Sequence, residues 1–424
     1  MGLRTRFRPG TRRHATVAFA IAIVVSALGF GGSALAAPAS APAAKFTGDP
    51  VKVATMGEFD VPSAGTSNPE WPGAVQARAK AINKAGGLKD ASGKTHELQV
   101  IVCNSALDPN KATQCANDAV AQKVVAVIGI NSSEAPQMMP ILTAANIPVI
   151  APVVVDPSET TSKNSFPITS GVPGAFIAMP QILAKTGATK ISLIYPDIPG
   201  AATAKLFVNA GIKKAGVQDG GAVPVAADAT DLTPAIAAAT KEGTNGIAAF
   251  LLGDAQGTLL RQIKQQGVKA KLSTASAFLT PSLLSSRGDT TNGVLVVGST
   301  VPITTKTKGG QMFQKDMNAF NKKLAQTDLA AQNWLGAWVF ERVANTLPAI
   351  TAASVLDAMG KLQNMDMGGL TPPLTTTTPF NSPDNPSYNA LLARLYNPTV
   401  VYERVKNGKV FLVGDKKNPF VTVF

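Results

Sequence analysis

Residues 124–133 read VVAVIGINSS, and residues 247–254 read IAAFLLGD. In both stretches an apolar run reaches a glycine and is followed by residues that can begin a helix, Ser132 and Ser133 in the first and Asp254 in the second. This order of strand, turn and helix is typical of a parallel sheet covered by helices. Ligands bind open parallel sheets beyond the carboxyl ends of the strands. The two stretches therefore predict two similar lobes whose turns face a shared cleft.

Apolar runs and helical patterns alternate outward from these two stretches. The first set predicts strands at 51–56, 98–103, 124–128 and 149–155, with helices at 73–84, at 111–122 and from Ser132 onward. The second set predicts strands at 191–195, 221–225, 247–252 and 272–275, with helices at 201–215, 232–242 and 256–266. Because the β-α-β-α order occurs twice, the sequence predicts an α/β protein with two doubly wound parallel-sheet lobes.

The C-terminal part of the chain changes character after residues 294–297. Helical patterns at 311–324, 331–346 and 353–362 are followed by a Thr/Pro-rich loop and by apolar runs at 400–405 and 410–413 that flank an Asn-Gly turn, which predicts a hairpin. These segments must pack on one lobe or the other. The predicted division is lobe 1 at 51–167 and 298–375, and lobe 2 at 168–297 and 376–424.

The N-terminus has the pattern of a secretory signal peptide. Five arginines precede an apolar run at 15–30, and the small-residue triplet Ala34-Leu35-Ala36 follows. The apolar run is shorter than the roughly 20 residues of a membrane anchor. We predict cleavage after residue 36, an Ala/Pro-rich tether at 37–50, and a location in the periplasm or outside the cell envelope. Ala37 stands where a lipoprotein has cysteine, which predicts a mature protein without lipid.

The chain has two cysteines, Cys103 and Cys115, both in the exported part. In an oxidising compartment such a pair predicts a disulfide, and two free buried thiols are the alternative. Closing this loop stabilises a fold by roughly 3 kcal/mol.

Charge and composition exclude several functions. The formal charge of +13 falls to +8 without the five signal-peptide arginines, and the remaining basic residues are scattered, whereas nucleic-acid binding requires a clustered basic face. The two histidines are His14, in the signal peptide, and His96, which we interpret as a solvated loop residue. Residues 87–95 lack the glycine and the strand-before-helix context of a phosphate-binding loop. We expect no enzyme activity, no metal site and no cofactor.

The remaining polar candidates are suited to recognition. Ser132 and Ser133 at a helix start offer hydroxyls and free N–H groups to an anion or a carbonyl, and ordinary helix capping is the alternative. Asp254 and Asp197 follow strands of the second lobe, and each either caps a helix or takes an amine or hydroxyl of a ligand.

Three aromatic residues in loops are candidates for the apolar walls of a binding cleft. They are Phe59 and Trp71 in the long first loop and Phe278 after the strand at 272–275. Core packing is the alternative for each.

Several motifs occur in a characteristic order along the chain. They are INKAGGL at 82–88, DPNKA at 108–112, VVAVIG at 124–129 with the two serines, IPVIAP at 147–152, DLTPAI at 231–236, LRQIKQQG at 260–267 and VKNGK at 405–409. Together they resemble the branched-chain amino acid (leucine-binding) type of solute-binding proteins of ABC importers. The resemblance covers nearly all of the chain from residue 51.

This resemblance implies a type I periplasmic-binding fold, in which two α/β lobes joined by a three-crossover hinge close over a ligand. It also implies that Ser132 and Ser133 hold the ligand's carboxylate, with help from backbone groups near Val154 and Val155. The family places an acid in lobe 2 against the ligand's amine, but Ala277 stands near that position here. The expected ligand is therefore a small organic acid, an amide or a modified amino acid.

The function that follows is that of a monomeric receptor which binds a small molecule and delivers it to the membrane permease of an ABC importer. A ligand-sensing module of the same fold, coupled to a signalling partner, is the main alternative. A secreted hydrolase is a further alternative, which the lack of a usable histidine disfavours.

Overall fold

The computed structural model describes residues 46–62, 66–198, 201–226, 229–380 and 390–424. The predicted signal peptide at 1–36 and the first part of the predicted tether, 37–45, lie outside the described residues. Within the described part of the chain, no helix combines the length and the apolar character that crossing a membrane requires.

The first sheet is parallel throughout and belongs to the N-terminal part of the chain. Its strands are β1 Val51–Gly57, β6 Leu98–Asn104, β7 Ala126–Asn131, β8 Val149–Ile150 and β9 Ser165–Phe166. Two small antiparallel pairs lie outside this sheet: β2 Asp60–Val61 with β3 Thr66–Ser67, and β4 Leu88–Lys89 with β5 Thr95–His96. The order is β6-β1-β7-β8-β9. The helices are α1 Glu70–Lys84, α2 Pro109–Ala121, α3 Ala135–Ala144 and α4 Ser158–Thr161. All residues of β7 are buried, as expected for a central strand covered on both faces.

The second sheet is larger and mixed. Its elements are α5 Gly171–Lys185, β10 Lys190–Pro196, α6 Ala201–Ala215, β11 Gln218–Val225, α7 Thr233–Ala239, β12 Gly246–Ala249, α8 Asp254–Gln265, β13 Lys271–Ala275, α9 Pro281–Arg287 and β14 Leu295–Gly298, followed late in the chain by β15 Thr399–Lys406, β16 Lys409–Leu412 and β17 Phe420–Thr422. The order is β11-β10-β12-β13-β14-β15-β16, and β17 pairs with β15. The strands up to β14 are parallel, whereas the last three pair antiparallel.

Three helices return from the second sheet to the first. They are α10 Lys308–Asn321, α11 Asp328–Ala344 and α12 Ala352–Met359. Phe313, Trp334 and Phe340 from these helices share one buried core with Val53 and Ile128 of the first sheet. We call the first sheet with these helices lobe 1, and the second sheet with its own helices lobe 2.

The chain therefore passes between the lobes after β9, after β14 and before β15. The lobe boundaries given above from the sequence stay a prediction.

Local differences from the sequence prediction have clear backbone causes. The strand predicted at 149–155 is only Val149–Ile150, because Ala151 adopts a φ of +56° and turns the chain out of the sheet. The first helix begins at Glu70, three residues earlier than predicted. The predicted C-terminal hairpin is confirmed as β15 and β16, and both turn residues, Asn407 and Gly408, have the positive φ that a two-residue turn of this kind requires.

The two cysteines are bonded to each other, as predicted. Cys103 on β6 and Cys115 on α2 have their Cα atoms 5.7 Å apart and form a disulfide. The bond fixes helix α2 against the edge strand of the first sheet.

Candidate functional site

The carboxylate of Glu58 is bound by the two serines that precede α3. Oε1 of Glu58 accepts hydrogen bonds from the backbone N–H of Ser133 at 2.6 Å, from Oγ of Ser133 at 2.7 Å and from Oγ of Ser132 at 3.2 Å. Glu58 directly follows β1, and the pairing of Gly57 with Asn131 across β1 and β7 sets it beside the two serines. The donors that the sequence assigned to a ligand thus have an internal acceptor, and Glu58 was missed by the sequence interpretation.

Ser132 also stabilises the turn that leads into α3. Its Oγ accepts the backbone N–H of Glu134 at 3.0 Å while it donates to Glu58. The helix begins at Ala135 with Glu134 in the cap position, so the alternative that the serines cap the helix is wrong. Because the N-terminus of a helix carries unpaired N–H groups and a partial positive charge, a carboxylate in this position is strongly favoured.

The backbone near Val154 and Val155 is also engaged within the chain. The N–H groups of Val155 and Asp156 both donate to Oε2 of Glu159, at 2.7 and 3.0 Å. The carbonyl of Val154 accepts the N–H of Val172 at 2.9 Å. Val154 is buried, whereas Val155 is exposed. Of the two residues, only Val155 presents its side chain to solvent.

Glu159 is a buried acid with half of its carboxylate unpaired. Burial raises the pKa of Glu159 to about 8; the N–H groups of Val155 and Asp156 lower the pKa, and the charges of Asp156 and Glu58 raise it again. Its Oε1 atom is buried and has no hydrogen-bond partner. A buried acceptor without a partner is costly, and it is often found where a ligand or a water binds.

The edge of lobe 1 around Glu58 is acidic. Burial, and next the charges of Glu58 and Asp108, raise the pKa of Glu134. None of the ion pairs that the described residues form includes Glu58, Glu134, Asp156 or Glu159. The local negative charge is therefore not neutralised by a lysine or an arginine of the described chain.

Two buried amides, those of Asn131 and Asn333, lie close to Gly129 in lobe 1. Asn131, 5% exposed, has no hydrogen-bond partner for either side-chain atom, and Oδ1 of Asn333 on α11 also has none. Nδ2 of Asn333 donates to the carbonyl of Trp71 at 3.2 Å. A Cβ added to Gly129 would lie 2.5 Å from Oδ1 of Asn333 and 3.5 Å from Nδ2 of Asn131, so the two amides approach the same glycine.

Of the three aromatic residues predicted to form walls of the cleft, one is buried and two are partly exposed. Phe59 is only 4% exposed, and its side chain therefore packs in the interior. Trp71 and Phe278 are half-buried. The ring of Phe278 lies 5.6 Å from that of Phe250 and 6.2 Å from that of Phe176, so it is the outer member of an aromatic cluster in lobe 2.

The two predicted acids of lobe 2 are exposed, and they differ in their positions. Asp197 follows β10, and its backbone N–H donates to the carbonyl of Val225 at 2.7 Å. Asp254 is the first residue of α8, and the cap position belongs to Gly253, which has a φ of +52°. The alternative that Asp254 caps the helix is therefore wrong. Ala277 is exposed between Ser276 and Phe278.

Helix α11 joins the two lobes at the predicted hinge. The carboxylate of Asp328 accepts hydrogen bonds from the hydroxyl of Ser276 at 2.6 Å and from the backbone N–H groups of Ser299 and Thr300, each at 2.8 Å. One turn later, Nε2 of Gln332 donates to the carbonyl of Pro152 in lobe 1 at 3.0 Å. The sequence interpretation did not single out Asp328, because the helix predicted from the sequence began at residue 331, after this acid.

His96 is not a solvated loop residue, as the sequence interpretation held. Its ring nitrogens lie 2.7 Å from the carbonyl oxygen of Asp49 and 3.1 Å from Oδ2 of Asp90. The hydroxyl of Ser92, and next the imidazole and nearby N–H groups, lower the pKa of Asp90 to about 2. This pair anchors the β4–β5 hairpin. Within the described ranges, no group of three or more His, Cys, Asp or Glu side chains is arranged to hold a metal ion.

Two α/β lobes, each with helix starts and loops at the carboxyl ends of its parallel strands, define the class of two-lobed solute-binding proteins. The chain belongs to the periplasmic binding protein family, whose sequence model matches residues 50–394. It is a solute-binding protein of the leucine-binding type, and this family consists of transporter binding proteins and not of enzymes.

A curated relative and two solved structures illustrate the similarity. The Leu/Ile/Val/Thr-binding protein of Salmonella typhimurium is 27% identical over 256 residues, which are 58% of this chain and 67% of the relative. A branched chain amino acid ABC transporter structure from Thermus thermophilus with bound valine superposes with a TM-score of 0.71 at 15% identity, covering 88% of this chain and 97% of that one. A solute-binding protein from R. palustris in complex with 4-hydroxybenzoate gives 0.68 at 16% identity, covering 86% and 96%. These structures confirm the predicted fold class.

Proposed function

We propose that this chain is the extracytoplasmic receptor of an ABC importer and binds a small polar organic solute, namely an amino acid, an amide or an organic acid, between its lobes. The observation that carries the proposal is the position of α11. Its Asp328 binds the strand ends of lobe 2, and its Gln332 binds lobe 1. The carboxyl ends of both sheets are therefore held close to one helix, where closure of the lobes would enclose a solute.

The proposal includes the residues that line the cleft. On lobe 1 these are the strand-end and loop residues Ser132, Ser133, Val154, Val155, Phe59 and Trp71, and on lobe 2 they are Asp197, Asp254 and Phe278. The comparison structures with bound valine and with 4-hydroxybenzoate support a small organic solute in this fold and leave its chemistry open.

Calorimetry of the mature protein with a metabolite panel tests the proposal, together with small-angle scattering with and without each solute that binds. We expect a dissociation constant of about 1 μM or lower, and a smaller radius of gyration in the complex. Binding with no compaction would contradict the closure mechanism, and detectable turnover of a bound solute would contradict a receptor role.

The remaining parts of the proposal concern export and partners. Mass spectrometry of the mature N-terminus should show a chain that begins at Ala37 and carries no lipid. Copurification with a membrane permease would support the transport role, whereas recovery of a signalling protein without a permease would favour the sensing role.

A further inference from the structure

We propose that the carboxylate of Glu58 permanently fills the anion position at the start of α3, and that the solute therefore presents a cationic amine to lobe 1 and carries no free carboxylate at that end. This inference rests on the proposed function: it keeps a small polar organic solute, retains amino-acid amides among the kinds named above, excludes free amino acids and organic acids, and adds simple amines. Four features of the site support it.

The first feature is that Glu58 already accepts hydrogen bonds from the donors of Ser132 and Ser133 that a ligand's carboxylate would use. One oxygen, Oε1, receives the N–H and hydroxyl of Ser133 and the hydroxyl of Ser132. The N–H of Glu134 is satisfied by Ser132. A ligand carboxylate would have to displace Glu58 to reach these groups, because each of them already donates to an acceptor of the chain.

The second feature is the cost of that displacement. The backbone N–H of Glu58 donates to the carbonyl of Asn131 at 2.9 Å, so the residue is held at the end of β1 next to α3. The neighbouring carboxylate that interacts with it and is charged at neutral pH belongs to Glu134, whereas Glu159 keeps its proton there because burial raises its pKa to about 8. A displaced Glu58 would lose three donors and remain near the like charge of Glu134, and an incoming carboxylate would meet both acids.

The third feature is a buried amide without partners next to the two serines. Asn131, the residue that precedes Ser132, is 5% exposed, and neither its Oδ1 nor its Nδ2 has a hydrogen-bond partner. An ammonium group has three donors and no acceptor. It can therefore donate to Oδ1 of Asn131 as well as to the carboxylate of Glu58.

The fourth feature is the aromatic cluster of lobe 2. Tyr195, Phe250 and Phe278 lie at or just beyond the ends of β10, β12 and β13, with neighbouring ring centroids 5.6 to 6.5 Å apart. Tyr195 and Phe278 are half-buried, whereas Phe250 is buried. Aromatic faces favour the apolar body of a ligand, and they also attract cations. The cluster is therefore compatible with an amine that bears an apolar tail.

Matched ligands that differ only in the head group test the inference. Leucinamide, leucine and 4-methylpentanoate share one apolar body and carry, respectively, an amine beside an uncharged amide, an amine with a carboxylate, and a carboxylate alone. A second set, phenethylamine, phenylalanine and 3-phenylpropanoate, changes the body. Calorimetry with the wild-type protein should show binding of an amine from at least one set, with the corresponding amino acid and acid at least roughly tenfold weaker.

Two substitutions of Glu58 distinguish the effect of its negative charge from the effect of its side chain filling the anion position. Glu58→Gln keeps an oxygen that accepts from Ser133 but removes the charge, so amine affinity should fall about tenfold or more and the acids should still bind poorly. Glu58→Ala empties the position, so the acids should gain affinity while the amines lose it. Asp357→Asn changes an exposed acid elsewhere on lobe 1 and should leave both unchanged. Thermal unfolding of each variant checks that the fold is retained.

The outcomes are distinct. A wild-type protein that binds any of the acids or amino acids as tightly as the matching amine would overturn the inference, and so would binding of only uncharged or acidic solutes from the metabolite panel. Failure of Glu58→Ala to gain affinity for the acids would overturn the claim that Glu58 fills the anion position. Absence of binding for every solute of any charge contradicts the proposed function itself.

Discussion

The carboxylate of Asp328 accepts the hydroxyl of Ser276 at 2.6 Å, and this hydrogen bond joins a helix of lobe 1 to the strand end of lobe 2. The same carboxylate accepts the N–H groups of Ser299 and Thr300, where the chain leaves lobe 2. One acid thus fixes two segments of the second lobe to the first turn of α11. The relative position of the lobes depends on this contact.

Asp328→Ala should therefore lower the free energy of unfolding by about 2–4 kcal/mol, because several donors lose a charged acceptor. Urea unfolding measures the loss, and scattering of the unliganded variant should show a wider range of lobe positions. Asp357→Ala, which removes an exposed acid paired with Lys361, serves as the control. A change as small as the control's would show that Asp328 does not hold the lobes together.

Arg78 and Lys361 allow a comparison of buried and exposed ion pairs. Arg78 bonds to Asp316 at 3.0 Å and to Glu341, and the side chains of the first pair are 13% and 10% exposed. The Lys361–Asp357 pair is 71% and 64% exposed. Arg78→Met should cost about 3 kcal/mol because it leaves buried acids unpaired, whereas Lys361→Met should cost less than about 0.5 kcal/mol. Equal losses in chemical unfolding would contradict this account.

The stability of the protein should fall as the pH rises through neutrality. The pKa of Glu159 is about 8 in the folded state, against an ordinary value of 4.5. Between these values the folded state keeps the proton and the unfolded state releases it, so the free energy of unfolding decreases from about pH 4.5 to about pH 8. Glu403 is buried too, and burial raises its pKa, which adds to the same trend.

Glu159→Gln keeps an acceptor for the N–H groups of Val155 and Asp156 but does not titrate. It should be more stable than wild type by roughly 1–3 kcal/mol at pH 8, with little difference at pH 4, where both side chains are neutral. Thermal unfolding across this pH range measures the effect. Parallel curves for the two proteins would show that Glu159 does not carry the dependence.

The disulfide should contribute to stability mainly through the unfolded chain. Replacing Cys103 and Cys115 together with alanine should cost about 3 kcal/mol. A reducing agent should destabilise the wild type by a similar amount and leave the double variant unaffected. If the reductant affects both proteins equally, the disulfide is not the source of the effect.

Short-range patterns were sufficient to predict the parts of the fold that depend on neighbouring residues. The stretch at 124–133 predicted β7 and the turn that leads to α3, because strand, glycine and helix start follow one another in the sequence, but α3 begins at Ala135, three residues after the predicted start at Ser132. The Asn407-Gly408 hairpin was predicted for the same reason. The strand at 149–155 was overestimated, since an apolar run does not reveal that Ala151 turns out of the sheet.

The candidate site depends on contacts between distant parts of the chain, and these were not predicted. Glu58 reaches Ser133 only because β1 pairs with β7, and its position after a strand resembled that of many loop acids. Asn333 and Asp328 come to the site on a helix that returns after the second lobe is complete. Residue type suggested where a ligand could bind, but the sheet pairing decides which groups already have partners.

The bond between Cys103 and Cys115 also has a practical use in measurements of motion. Both cysteines of the sequence are consumed by it, so engineered cysteines would be the only reactive thiols for spectroscopic labelling. Val120 on α2 and Leu206 on α6 are exposed and lie on different lobes. A pair of labels at these two positions would report opening and closing directly.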